Sequence, residues 1–193
     1  MHLESYLRQI EVHLIGTHAR VLNWFRKEEA LLSYRPDDQG WTVAEILEHI
    51  ALTSHFLLKL IDKGANKALR NVKGISLEEE IQLFDFDLAR MEAIGIHGSF
   101  AWIRPEHMEP KGIRTLADIQ GELTGQLRRC LNWLTELKHG EGLLHKTTMS
   151  VNDLGKLNVY EYIYFLSQHA ERHLQQMAGN KREFEQFKSA SGS

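Results

Sequence analysis

Cysteine is nearly missing from this 193-residue chain, with Cys130 the single one. That excludes an internal disulfide framework and fits a reducing, cytoplasmic compartment. Proline is scarce, present only at Pro36, Pro105 and Pro110, so helices can run long between them. No apolar run approaches the ~20 residues that span a bilayer. The opening stretch MHLESYLRQIEVHLIG is charged and amphipathic, without the apolar core of a signal peptide. An excess of one charge is also missing. Lys and Arg number 23 against 26 Asp and Glu, a formal net charge of −3. Nothing electrostatic therefore points to nucleic acid or an anionic membrane as partner.

What is present is helical period, apolar residues at three- and four-residue steps. Leu3, Leu7, Ile10, Leu14, Val21 and Trp24 predict a helix over 3–32. Turn chemistry at 35–40 breaks it. Thr42-Val43-Ala44-Glu45 has the capping-box pattern and opens a second helix with the stripe Ile46, Ile50, Thr53, Leu57 and Ile61, ended by Gly64. Ser76 and Glu79 repeat the box before Leu77, Ile81, Phe84, Leu88 and Met91, an extra helix over 76–94. Thr115 opens the next, from Leu116 through Cys130 to Leu137. Asn158 and Glu161 cap the last, with Val159, Ile163, Leu166, Ala170, Leu174 and Met177 on its stripe.

The stretches 95–114 and 139–157 read as long connections, which are uncommon unless they serve a site or move. No strand pattern stands out beyond a faint extended piece within 100–104. The composition of 189–193 reads as a disordered tail. The expected architecture is all-α, one domain over 1–188, with four long helices and one shorter extra helix.

Eleven histidines are many for this length, yet only His169 and His173 stand three or four apart. Positions i and i+4 differ by about 40° around a helix and about 6 Å along it, so two imidazoles can meet on one ion. Both border the apolar stripe of the last helix, and His49 borders that of the second. The plain alternative is a set of histidines on helix flanks. His18 flanks the first stripe and reads as a supporting group, a further ligand or a solvated side chain. His55 lies about 240° around the helix from His49, too far to share its site.

Other side chains have plainer readings. Cys130 lies on an apolar stripe and reads as a buried, inert thiol. Glu48 reads as a surface salt-bridge partner, Glu45 as a cap, and Glu171 and Arg172 as facing away from the histidines. Tyr160, Tyr162 and Tyr164 read as core or rim aromatics, and 150–153 as a turn that could border a pocket.

The stretches WTVAEILEHIALTSHFLLKLID and YEYIYFLSQHAERHLQQM resemble the DinB-like (DinB/YfiT) superfamily, which includes metal-dependent enzymes and many members without a known reaction. Trp41, His49, His169, His173, Leu174 and Gln176 fall on its motif positions. The resemblance implies an up-down-down-up four-helix bundle. It also implies a divalent ion, zinc or nickel, on His49, His169 and His173 with a position left open. It further implies a small-molecule substrate, frequent homodimers and, in some relatives, S-transfer or isomerisation with low-molecular-weight thiols. An open position on such an ion suits hydrolysis or thiol activation. The alternative is a non-catalytic stress-related metal-binding or dimeric interaction bundle.

Overall fold

The computed structural model describes residues 2–101 and 105–191. Four long helices form the frame: α1 (Leu3–Trp24), α3 (Val43–Asn71), α5 (Leu116–Glu136) and α6 (Val159–Ser191). Two short ones, α2 (Glu29–Ser33) and α4 (Leu77–Leu83), sit in the connections, with a hairpin of β1 (Lys146–Met149) and β2 (Gly155–Asn158).

Cross-helix contacts give the directions. Tyr6 packs edge-on against Tyr160 at 6.3 Å, and farther along Arg20 donates to Glu171 at 2.8 Å, so α1 and α6 run parallel. Gln126 donates to the Ala51 carbonyl at 2.9 Å and Trp133 Nε1 to Asp62 at 2.7 Å, so α3 and α5 also run parallel. Asn180 donates to the Trp41 carbonyl at 2.8 Å while Gly64 lies beside Val159, so α3 and α6 are antiparallel. The bundle is therefore up-down-down-up.

Local chemistry sets the helix starts. The Glu45 N–H donates to the Thr42 hydroxyl at 3.2 Å and the Thr42 N–H to the Glu45 carboxylate at 2.8 Å, a complete capping box. Asn158 and Glu161 make the same reciprocal pair, at 3.0 and 2.8 Å, at the start of α6. The stripes then enter the core. Ile46, Leu47 and Ile61 of α3 and Tyr160, Ile163 and Phe165 of α6 are buried, each such side chain contributing about 1.5–3 kcal/mol of transfer free energy.

Several expectations are corrected. Residues 3–32 are not one helix. The Phe25, Arg26 and Lys27 N–H groups bond three residues back and close α1, and α2 then turns Leu31 and Leu32 into the core. Gly64 does not end α3. A glycine inside a helix costs about 1 kcal/mol, and burial of Ala65 and Ala68 beyond it outweighs that. The helix expected over 76–94 is two pieces, α4 and a 3-10 segment Ala89–Gly95, with extended chain between. Phe84 and Phe86 both pack edge-on against Tyr6, at 5.7 and 5.3 Å. Residues two apart share a side only in extended backbone.

The expected 139–157 connection holds a hairpin that no strand pattern in the sequence marks. Lys146 pairs with Asn158 and Met149 with Gly155, around a turn with Asn152, Asp153 and Gly155 at positive φ. The extended piece expected within 100–104 falls largely outside the described residues. α6 continues through 189–191, with Ser189 bonded to the Glu185 carbonyl at 2.9 Å. Residues 192–193 are outside the described range.

Candidate metal centre

The α3 capping box fixes the register that brings His49 inward from one helix. The α6 box does the same for His169 and His173. The three rings converge, with centroids 5.1 Å (His49–His169), 4.7 Å (His49–His173) and 4.5 Å (His169–His173) apart. All three residues are buried, and one ring nitrogen of each lies within 4.8 Å of the other two.

Partners outside the cluster set the tautomers. His49 Nδ1 lies 2.7 Å from the Met108 carbonyl. A carbonyl only accepts, so Nδ1 carries the proton and Nε2 presents a lone pair. His173 Nδ1 lies 2.8 Å from Gln176 Oε1, which directs its Nε2 inward by the same reasoning. That Nε2 is 3.2 Å from His169 Nε2. Two nitrogens bonded to one tetrahedral ion at about 2.1 Å stand about 3.4 Å apart. The donor set, its spacing and its outer hydrogen bonds thus fit a divalent cation. Burial first, then the neighbouring imidazoles and Arg172, hold His169 well below its ordinary pKa. Burial and His49 likewise push His173 down to about 3. His169 and His173 are therefore neutral at pH 7, the form that binds metal.

The cluster opens into a cavity of about 570 Å³. Its walls come from the loop before α3 (Gln39, Gly40, Trp41), from His97 and Met108, from Thr148, Met149, Ser150 and Val151 of the hairpin and its turn, and from α3 and α6. Trp41 lies 4.7 Å from the His49 ring. The turn at 150–153 therefore borders the pocket through Ser150 and Val151.

The remaining expected residues fall as follows. His18 lies apart, beside a small void of about 40 Å³ that Cys130 also lines, and is no fourth ligand. His55 is 3.5 Å from Glu122 on the α5 side. Cys130 is buried, which pushes its thiol up to about 12. Glu45 caps α3 and pairs with Arg35 at 2.7 Å. Glu171 faces α1 as expected. Tyr160 is core, and Tyr162 lines the cavity while donating to the Thr148 carbonyl at 3.0 Å.

Two readings are corrected. Glu48 is buried, not a surface ion-pair partner, and accepts the Gly112 N–H at 2.8 Å, tying down the loop that brings Met108 to His49. Arg172 does not face away. It lines the cavity and donates to the Ile96 carbonyl at 2.6 Å. Its spacing of three from His169 puts the two on one helix face, a signal available in the sequence. His97 also lines the cavity, and a lone loop histidine gives no spacing signal.

A four-helix bundle that gathers three buried histidines at the floor of an open cavity is the class of protein defined here. Residues 13–177 match the family model described as the DinB superfamily, and the chain belongs to that family. No curated protein and no solved structure matches the chain.

Proposed function

We propose that this chain is a divalent-metal-dependent enzyme acting on a small molecule, with zinc or nickel held by His49, His169 and His173. One observation carries the reading: three protein nitrogens converge on a point that opens into the cavity. A structural zinc is normally closed by four protein ligands. A divalent ion held there supplies Lewis acidity, which lowers the pKa of a bound water or thiol.

The chain's own residues do the rest. Met108 and Gln176 hold the tautomers of His49 and His173. Trp41 covers the His49 ring and shields it from bulk water. No carboxylate is among the described lining residues, so a protein carboxylate base is not at hand for hydrolysis. This favours S-transfer with a low-molecular-weight thiol: the S–H bond breaks, the sulfur bonds to the electrophile in place of its leaving group, and the proton departs with that leaving group. Hydrolysis is the second reading. The single, buried cysteine supports work in a reducing cytoplasm, and no helix among the described residues is long and apolar enough to cross a membrane. Family membership supports a homodimer, which sedimentation reads directly.

Elemental analysis of protein purified without a histidine tag tests the metal, with about one divalent ion per chain expected. Thiol titration of the Co²⁺-substituted protein tests the open position. A spectrum that moves with thiol supports the enzyme. An unmoved spectrum marks a closed, non-catalytic site, and metal-free protein that takes up no ion leaves only an interaction bundle.

A further inference from the structure

On a helix, opposite charges four residues apart attract and like charges repel. Beyond the cavity, α3 places like charges together. Lys59, Lys63 and Lys67 follow one another at four-residue steps, with Arg70 three further on. A helix C-terminus favours cations in its last turn, which accounts for Arg70 alone. Asp62, beside Lys63 in the chain, faces α5 instead, where its carboxylate accepts Arg129 Nε at 2.8 Å and Trp133 Nε1 at 2.7 Å.

His145 lies against this stretch of α3. A Cβ at Gly64 would stand 3.5 Å from His145 Cδ2, so the imidazole rests on the turn that carries Lys63. Asn71 donates to the Leu144 carbonyl at 2.7 Å and ties the start of β1 to α3. The Thr147 hydroxyl lies 3.5 Å from His145 Nε2. Burial first, then the charges of Lys67 and Lys63, hold His145 below its ordinary pKa, and no carboxylate among the described residues offsets them. Lys67 and His145 are half-buried and Lys63 is exposed.

We propose that Lys63, Lys67 and His145 form a binding site for a phosphate dianion on the seam between α3 and β1. Two ammonium groups balance two negative charges, and lysine serves phosphate as a compact point charge. A neutral imidazole adds one N–H donor and the Thr147 hydroxyl another. Lysines one turn apart stand about 6 Å from each other, a spacing that one phosphate can bridge. The three side chains lie outside the cavity lining, but the seam begins at its rim. Leu60, one turn before Lys63, and Thr148, next but one after Lys146, both line the cavity. The inference goes beyond the metal reading and does not depend on it.

Titration of inorganic phosphate and of hexyl phosphate into the chelator-treated full chain tests it. NMR signals of the His145 ring and of the amides at 63–67 and 145–147 report the site, with sodium chloride at matched ionic strength as control. Phosphate is expected to move these signals and chloride to leave them in place. K63Q and K67Q should each weaken phosphate binding about ten-fold, in line with loss of one charge-assisted hydrogen bond. H145Q, which keeps an N–H donor, should weaken it less. Tighter binding of hexyl phosphate marks an ester whose chain lies over Leu60 as the ligand, equal binding marks the free anion, and both support the site. Equal responses to chloride and phosphate overturn the proposal. So does a phosphate affinity that K63Q and K67Q leave intact, or a response confined to the metal cavity. If K67Q fails to fold, K63Q and the chloride control decide.

Discussion

His49 Nδ1 lies 2.7 Å from the carbonyl oxygen of Met108, fifty-nine residues away in the chain. That contact sets the tautomer of the one imidazole α3 contributes, and it depends on a loop held by Glu48 through the Gly112 N–H. Gln176 plays the matching part for His173. Removing such an outer partner typically weakens metal affinity by about 10–100-fold. Q176A should show a loss of that size in competition with a chromophoric chelator, with thermal stability nearly unchanged.

The site should make the metal-free protein sensitive to acid. Burial first, and then neighbouring positive charge, depress the pKa of His169 and bring that of His173 to about 3, against 6.5 in the unfolded chain. Unfolded chain therefore binds more protons than folded chain as pH falls from 6.5 toward 3. Stability is full above pH 6.5 and declines through that window, by up to about 1.4 kcal/mol per pH unit for each such group. Urea midpoints measured from pH 7.5 to 4.5 should fall accordingly, and H173Q should show a shallower slope.

Away from the centre, Tyr160 joins three segments. Its hydroxyl donates to the Leu137 carbonyl and accepts the Gly142 N–H at 2.9 Å, all buried. Y160F leaves the Gly142 N–H unpaired, while the Leu137 carbonyl keeps the Gly140 N–H at 3.1 Å, and should cost about 1–3 kcal/mol. A Cβ at Gly142 would lie 2.5 Å from the Tyr160 ring, so G142A should cost about the same by overpacking. Chemical denaturation of the two variants checks both values.

The cavity's Trp41 wall is braced from the far end of α6. Glu183 accepts the Asp37 N–H at 2.7 Å and the Tyr34 hydroxyl at 2.9 Å, and the latter bond raises the tyrosine to about 12. E183A should speed amide exchange across 34–41 while α3 stays protected. Hydrogen exchange read by mass spectrometry resolves the two segments.

Much of this was legible in the sequence, because long helices announce themselves by period and by caps. The Thr42–Glu45 and Asn158–Glu161 boxes fixed where the ligand helices start, and the spacing of His169 and His173 placed them on one face. Less legible was whatever depends on contacts distant in the chain. The Met108 carbonyl carries no side-chain signature. The strands beside the pocket are four residues each, too short for alternation to stand out. Phe84 and Phe86 did carry a two-residue period, but it was outweighed by the helical pattern around them. Arg172 is readable at its spacing of three from His169, although the step of about 100° from its neighbour His173 points to the opposite reading.

Anomalous diffraction at the zinc edge, from crystals of tag-free protein, bears most directly on the centre. The expected result is one peak within about 2.1 Å of Nε2 of His49, His169 and His173, with its remaining face toward the cavity. A map with no peak there after zinc soaking, or with an ion bound without His49, would contradict it.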